Sequence, residues 1–494
     1  MADGDASDPA DLAFSVAGLE YPVQIIVDRW GVPHVYARTT ADVFLAQGFN
    51  AGRDRLFQVE LWLRRGNGRL AEVLGPAYVE QDSANRLLLF RGDMDAEWAA
   101  YGETARAAME SFAAGFNAYV RWALERPDER LPPEFRLHGY RPAEWSADDF
   151  VRFRTHGLFY NVDSEVARAR TLRLAGAEAE SVRQAREPAD PLRIPEGLNL
   201  DFIDADTLST YRFAFSPVDF SGAATPAPAA AGHASGSNNW VVSKERTSTG
   251  RPILANDPHR AVSLPSLRYI AHLVAPGLDV IGAGEPGLPG ISIGHNGVVA
   301  FGLTIWPADV EDLVVHTASG DEGYVGPDGP EAFRIVTEEV AVRGGTPVTV
   351  SLAFTAEGPV IHVDPERGIV VALRAGWLEP GMAPYMGSLR YQSARNGDEF
   401  VDALAHWGAP AVNQIFATAD GDWGWQAAGR IPRRDGGDGS VPVPGDGRFA
   451  WTGFAGTEEL PSLRRSADGW FASANEMNLP DGYDNTGLTT TYDW

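Results

Sequence analysis

Apolar side chains recur at helical spacing in two long stretches of the first 215 residues. Between residues 40 and 64 they include Val43, Phe44, Phe57 and Leu61; between residues 103 and 125, Met109, Phe112, Phe116, Tyr119 and Val120 line one face. Residues 147–175 read as a further helix carrying Phe159 and Glu165, and short strands are expected at 22–28 and 33–37 around the Arg29-Trp30-Gly31 turn. After Ser237 the pattern changes. Runs rich in valine, isoleucine and threonine alternate with Gly and Pro turns at 278–283, 298–304, 311–316, 333–342, 346–354, 369–374 and 411–418. The segment WVVSKERTSTGRPILAND reads as two short strands around a Thr-Gly turn, and no internal repeat is visible. The chain is therefore helix-rich, then strand-rich.

Between the two characters lies SGAATPAPAAAGHASG, residues 221–236, almost all Ala, Gly, Pro and Ser. Such a segment buries too little apolar surface to order itself. The division expected is a helix-rich first chain over 1–220, a spacer over 221–236 and a strand-rich second chain over 237–494.

The spacer ends at Gly236-Ser237-Asn238-Asn239-Trp240. In isolation Ser-Asn-Asn is ordinary turn chemistry. At a floppy-to-ordered junction, however, the serine marks a peptide bond suited to cleavage. Cutting before Ser237 would give it a free α-amine of ordinary pKa about 7.7–8.0, a general base for its own hydroxyl near neutral pH.

Other blocks follow in order: Asn256-Asp257-Pro258-His259, Gly294-His295-Asn296-Gly297, Thr304, Asp309-Val310-Glu311-Asp312 and Ala472-Ser473-Ala474-Asn475-Glu476. Before the spacer stand Asp28-Arg29-Trp30-Gly31-Val32-Pro33-His34, Gln47-Gly48, Asp54-Arg55-Leu56-Phe57-Gln58 and Gly68-Arg69-Leu70-Ala71-Glu72. Each block is weak alone. In this order, over nearly the whole length, the chain resembles the penicillin acylase family of N-terminal-nucleophile hydrolases.

The resemblance implies an α+β fold of four αββα layers and self-cleavage before Ser237. It implies an amidase that cleaves a small-molecule N-acyl amide, such as a β-lactam side chain or an acyl-homoserine lactone, through an acyl-enzyme. The two cleaved chains would stay together as a heterodimer. Ser237 would be the nucleophile, Asn475 and the backbone N–H of Ile305 the oxyanion donors, and His259 a support for the amine. His295 is expected to be architectural, and Asn413, near the acyl pocket, carries no catalytic role. Calcium would be held by Asp309, the Glu311 backbone, Asp312 and Glu165, tying the cleaved chains together; no organic cofactor is implied. The acyl pocket would involve Thr155, Phe159, Arg260, Ile293, Leu303, Pro307 and Val412. Its apolar members favour a hydrophobic acyl group. Arg260 departs from the aromatic residue of the phenylacetyl-specific enzymes, and either faces solvent or pairs with a polar acyl tail. The family's second chain runs roughly twice as far past the serine, so the C-terminal part of the fold is expected to be missing.

Bulk numbers trim this picture. A formal net charge of −26 argues against nucleic acid or an anionic membrane as partner. Lys244 is the only lysine, which excludes a lysine nucleophile elsewhere, and the absence of cysteine excludes disulfides, thiol catalysis and Cys-ligated metals. No run approaches a membrane span. The start, MADGDASDPADLAF, lacks a basic n-region and an apolar h-region and does not read as a secretory signal. The alternative is a catalytically silent scaffold or binding protein that keeps the fold. A denaturing gel separates the two: a self-processed enzyme gives two fragments, a scaffold one 53.3 kDa band.

Overall fold

The computed structural model describes residues 12–155, 161–184, 186–187, 191–203, 206–222, 236–260, 262–434, 436–483 and 492–493. All but one of the expected elements form within a residue or two of their anticipated bounds. The first long helix, Thr40–Gly66, is capped by Thr39, whose side chain accepts from Asp42 N–H at 3.1 Å. The second, Ala105–Glu125, buries Met109, Phe112, Phe116, Tyr119 and Val120 on the face its periodicity marks.

These two helices pack backbone to backbone. A Cβ on Gly48 would stand 1.9 Å from the Phe112 carbonyl oxygen, and one on Gly115 would stand 1.8 Å from that of Leu45. Neither neighbour is a flexible side-chain end, so a methyl group can enter only if the helices separate. Gly115→Ala is therefore expected to destabilise the protein by about 1–3 kcal/mol or more, seen as a lower urea midpoint. A midpoint shift worth less than about 0.5 kcal/mol, the size of an ordinary surface substitution, would contradict the tight crossing.

The helices cover one face of a nine-stranded sheet. Its order is Gln24–Val27, Pro33–Tyr36, Tyr269–Ala275, Leu278–Gly284, Ile293–His295, Val299–Ile305, Val412–Thr418, Trp423–Ala428 and Ser462–Arg464. Alternation along the strands decides what each face touches. Leu273, Val280, Phe301, Leu303 and Val412 pack with Val43 and Phe44 on the helix side. Trp306, Ile415 and Trp425 point the other way and meet Val241 and Phe471. Those last two belong to a three-stranded sheet ordered Trp470–Ser473, Ser237–Val242, Ile253–Pro258. Helix, sheet and sheet are thus three of the four expected layers, all formed among the described residues. On the outer face of the small sheet, Trp240, Ile253 and Trp470 are 40%, 44% and 51% exposed. The α+β class is as the sequence indicates. A separate four-stranded sheet (Val360–Asp364, Ile369–Ala375, Glu311–Thr317, Val443–Pro444) carries the acidic cluster.

One helix differs from expectation. Residues 147–175 do not form a single helix: Ala147–Arg152 and Val162–Arg183 are separate. The chain leaves the first helix in extended conformation at Phe153, and Arg154 turns fully inward to an ion pair with buried Glu97 at 2.9 Å. The second helix begins against the Glu311 carboxylate, which accepts from the N–H groups of Asn161 at 2.7 Å and Val162 at 3.2 Å. An anion at a helix N-terminus meets both the free N–H groups and the positive end of the dipole. Tertiary partners, not local periodicity, fix this break.

Candidate active site

Ser237 opens the middle strand of the small sheet at the end where Ile305, Ile293 and Val412 terminate their own strands. It is buried, 2% exposed. Its Oγ donates to the Gly236 carbonyl oxygen at 2.7 Å, and the same oxygen accepts the His259 backbone N–H at 2.9 Å. The Ser237 N–H donates to Asn475 Oδ1 at 2.5 Å, although 238 residues separate the two. Asn475 Nδ2 donates to the Ile305 carbonyl oxygen at 3.0 Å. Asn475 holds φ 68°, a left-handed conformation that Asn tolerates better than most residues. The Trp306 N–H donates to Ala411 O at 3.1 Å. In the alternation of an antiparallel ladder, the Ile305–Val412 pair beside it exchanges no such bonds, so the Ile305 N–H is turned off that ladder.

Of the four expected catalytic residues, Ser237, Asn475 and Ile305 converge directly, and His259 reaches the junction through its backbone. The His259 ring pairs with Asp257 Oδ2 at 3.0 Å and is 44% exposed. Arg260 Nη1 folds back on the His259 carbonyl at 2.8 Å. Ile293, Leu303 and Val412 share the apolar cluster on the helix side of the large sheet. Thr155 is buried in the first half, where its hydroxyl donates to Asn85 Oδ1 at 2.9 Å. Phe159 lies outside the described residues. Val59, Leu63, Phe150, Phe153, Leu288 and Tyr385 line an apolar crevice. Thr155, Arg260, Ile293, Leu303 and Val412 do not line it.

Asn413 is more than a pocket-wall residue. Its Nδ2 donates to Thr304 Oγ1 at 3.1 Å, to Ile305 O at 3.0 Å and to Ser473 Oγ at 3.3 Å. Its Oδ1 accepts from Trp425 Nε1 at 2.9 Å and Asn478 Nδ2 at 2.7 Å. Asn413 thus clamps the strand ends that carry Ile305 and Asn475. Sequence reasoning missed Ser473 and Asn478 here, although both flank the Ala-Asn-Glu block.

Ser292 stands in Gly290-Ile291-Ser292-Ile293-Gly294, the Gly-x-Ser-x-Gly spacing of a nucleophile elbow. The pattern is a false lead. Ser292 precedes a strand rather than turning into a helix, and its hydroxyl donates to the Ala283 carbonyl at 3.3 Å.

The acidic cluster is buried. Carboxylate oxygens of Glu165, Asp309 and Asp312 come within 4.8 Å of one another. Burial, with Asp312 and Asp309 adding repulsion, pushes the Glu165 carboxyl well above its ordinary range. Burial raises Asp309 as well, against the pull of Arg434. Arg434, which the sequence reading passed over, bonds the Asp309 carboxylate and reaches Asp312 through Nε at 2.9 and 3.0 Å. Burial opposes its charge, but Asp309 and Asp312 outweigh that and hold the guanidinium above its ordinary value. The Glu311 side chain does not join. It accepts from Asn161, Val162, Tyr211 and Trp377, and burial pushes it up to about 7. Only its carbonyl faces the cluster, 3.4 Å from Arg434 Nη2. Glu165 and Asp309, both held above their ordinary range, mark a crowding of buried carboxylates that Arg434 leaves incompletely balanced. The donor set fits a hard divalent cation.

Residues 22–494 match the family model described as Penicillin amidase. Penicillin acylase 2 proenzyme of Pseudomonas sp. (strain SE83) is 33% identical over 484 residues, covering 96% of this chain and 61% of that protein. Acyl-homoserine lactone acylase QuiP of Pseudomonas aeruginosa is 27% identical over 504 residues, covering 97% of this chain and 58% of that protein. A solved thermostable penicillin G acylase from Alcaligenes faecalis, in orthorhombic form, is 25% identical, covers 52% of this chain and 47% of its own, and superposes with a TM-score of 0.48. The chain spans about three-fifths of the length of these two curated relatives.

Proposed function

This chain belongs to the penicillin amidase family, and from that premise we propose that it frees Ser237 by self-cleavage and then hydrolyses a small N-acyl amide through an ester on Ser237 Oγ. The observation that carries the reading is the clamp on the Gly236 carbonyl, held between Ser237 Oγ at 2.7 Å and the His259 N–H at 2.9 Å. In the first reaction Oγ attacks the Gly236 carbonyl carbon and its proton passes to the Ser237 nitrogen. The oxyanion forms where the His259 N–H already donates. The C–N bond breaks, leaving an ester and a free amine, and water hydrolyses the ester to a Gly236 carboxylate. One relative is named a proenzyme, which supports such a step.

In the second reaction the Ser237 amine accepts the hydroxyl proton as Oγ attacks the substrate carbonyl. Asn475 Oδ1, which takes the Ser237 N–H in the uncut chain, would orient that amine. Asn475 Nδ2 and the Ile305 N–H would stabilise the oxyanion. The amine product leaves with a proton, and water releases the acid. Relatives named as penicillin and acyl-homoserine lactone acylases make β-lactam side chains and acyl-homoserine lactones the first substrates to try. A panel of N-acyl amides graded in acyl length should reveal turnover by the processed protein. Processed protein inert towards the whole panel would refute the assignment.

Calcium would sit among Glu165, Asp309 and Asp312, where it supplies charge neutralisation between residues before and after the cut. Chelation is then expected to lower the thermal midpoint, and excess calcium to restore it. A ligand at a hundred times its Kd stabilises by about 2.7 kcal/mol. Glu165→Gln should weaken calcium binding in a titration. No calcium heat and no chelator effect would show that Arg434 alone balances the cluster.

A further inference from the structure

A second constellation lies outside the Ser237 site. His34, on Pro33–Tyr36, pairs with His272, on Tyr269–Ala275, directly across two parallel strands of the large sheet. Their Nδ1 atoms are 2.9 Å apart. Each ring presents its other nitrogen to a carboxylate. His272 Nε2 is 2.9 Å from Asp279 Oδ1, and His34 Nε2 is 3.5 Å from Asp28 Oδ2. Asp28 is fixed in turn, because its Oδ1 accepts the N–H groups of Trp30 at 2.8 Å and Val32 at 2.9 Å.

This order, Asp28–His34···His272–Asp279, has an electronic consequence. A carboxylate facing Nε2 keeps the proton on that nitrogen, which leaves an in-plane lone pair on Nδ1. The 2.9 Å contact is a hydrogen bond in which one ring's Nδ1–H donates to the other's Nδ1, and a cation that replaces that shared proton would be held by both nitrogens. A carboxylate behind each imidazole is the arrangement that orients histidine ligands and raises their basicity in metal sites. Two imidazoles on a tetrahedral ion at about 2.0–2.1 Å per bond stand roughly 3.3 Å apart, a few tenths of an ångström wider than here. The side chains are 23% and 18% exposed, so water can complete the coordination. The pair sits on rigid paired strands rather than on loops.

We propose that His34 and His272 form a surface site for a borderline divalent cation, of the zinc, nickel or copper class, with Asp28 and Asp279 as orienting partners. Imidazole donors without thiolates suit these ions, whereas the buried carboxylates of Glu165, Asp309 and Asp312 suit calcium. His34 precedes Ser237 and His272 follows it. If the bond before Ser237 is cut as proposed above, the same ion would clip the two fragments together.

The test is titration of the calcium-saturated full chain with zinc chloride and, separately, nickel chloride. Excess calcium occupies the acidic cluster, so a borderline-metal site reports independently of it. One site is expected, lost in His34→Gln and in His272→Gln. Asp279→Asn should weaken it about 10- to 100-fold, and His259→Gln should leave it intact. Because Asp279 is 73% exposed in its side chain, Asp279→Asn gives a reading even if a histidine variant folds poorly. Nickel should also broaden the ring resonances of His34, His272 and the neighbouring Tyr36. Unchanged affinity in both histidine variants, no binding at millimolar zinc, or broadening confined to other histidines would each overturn the proposal.

Discussion

Ser237→Ala is expected to give a single uncut chain with no measurable amide turnover. The substitution removes the hydroxyl seated against the Gly236 carbonyl, so the ester that precedes cleavage cannot form. Turnover then fails twice, for want of a nucleophile and for want of a free amine to act as base. Removal of a nucleophile in an enzyme whose groups act as a unit abolishes most of the rate enhancement, on the order of 10⁶-fold where measured. Ser237→Cys should retain partial processing, since a thiol is intrinsically the better nucleophile. A denaturing gel and an amide assay read both outcomes. Two fragments from the alanine variant would mean that another protease makes the cut.

Asn475→Ala is expected to lower kcat about 10²- to 10³-fold with little change in KM, because an oxyanion donor acts mainly in the transition state. Its φ of 68° complicates the choice of residue, since alanine is strained in that conformation. Asn475→Gly removes the same amide and adopts the conformation freely. Equal kcat losses in the two variants assign the effect to the side chain. A near-normal kcat in the glycine variant would remove Asn475 from the site.

Much of this was legible in the chain because periodicity and local chemistry agreed. The buried face of Ala105–Glu125, read from Met109, Phe112, Phe116, Tyr119 and Val120, is one case; the Gln47-Gly48 block stood out only through resemblance. Gln47 ties the first helix to the sheet through Tyr269 and Gly290, and Gly48 allows the helix crossing beside it. The closeness of Asn475 to Ser237 was legible only through resemblance, since no spacing rule joins residues so far apart. What the sequence hid depends on tertiary partners. Arg434 enters the acidic cluster 122 residues from Asp312, with no pattern to announce it. The Glu311 carbonyl faces the cluster as expected, but no sequence pattern showed that its side chain caps a helix start that periodicity had placed inside a longer helix. Asn413 read as a pocket residue because its five side-chain hydrogen bonds reach three separate stretches of chain. The Ser292 pattern shows the converse, a motif spacing without its strand–turn–helix context.

The central claim is that the chain is cut at its own Ser237 by the geometry around Gly236. The most direct measurement is the N-terminal sequence of the second fragment from freshly purified natural gene product, followed as the uncut chain matures in isolation. A single new terminus reading Ser-Asn-Asn-Trp is expected, appearing at a rate independent of protein concentration. A different terminus, a rate that rises with concentration, or an active preparation that remains uncut would contradict it.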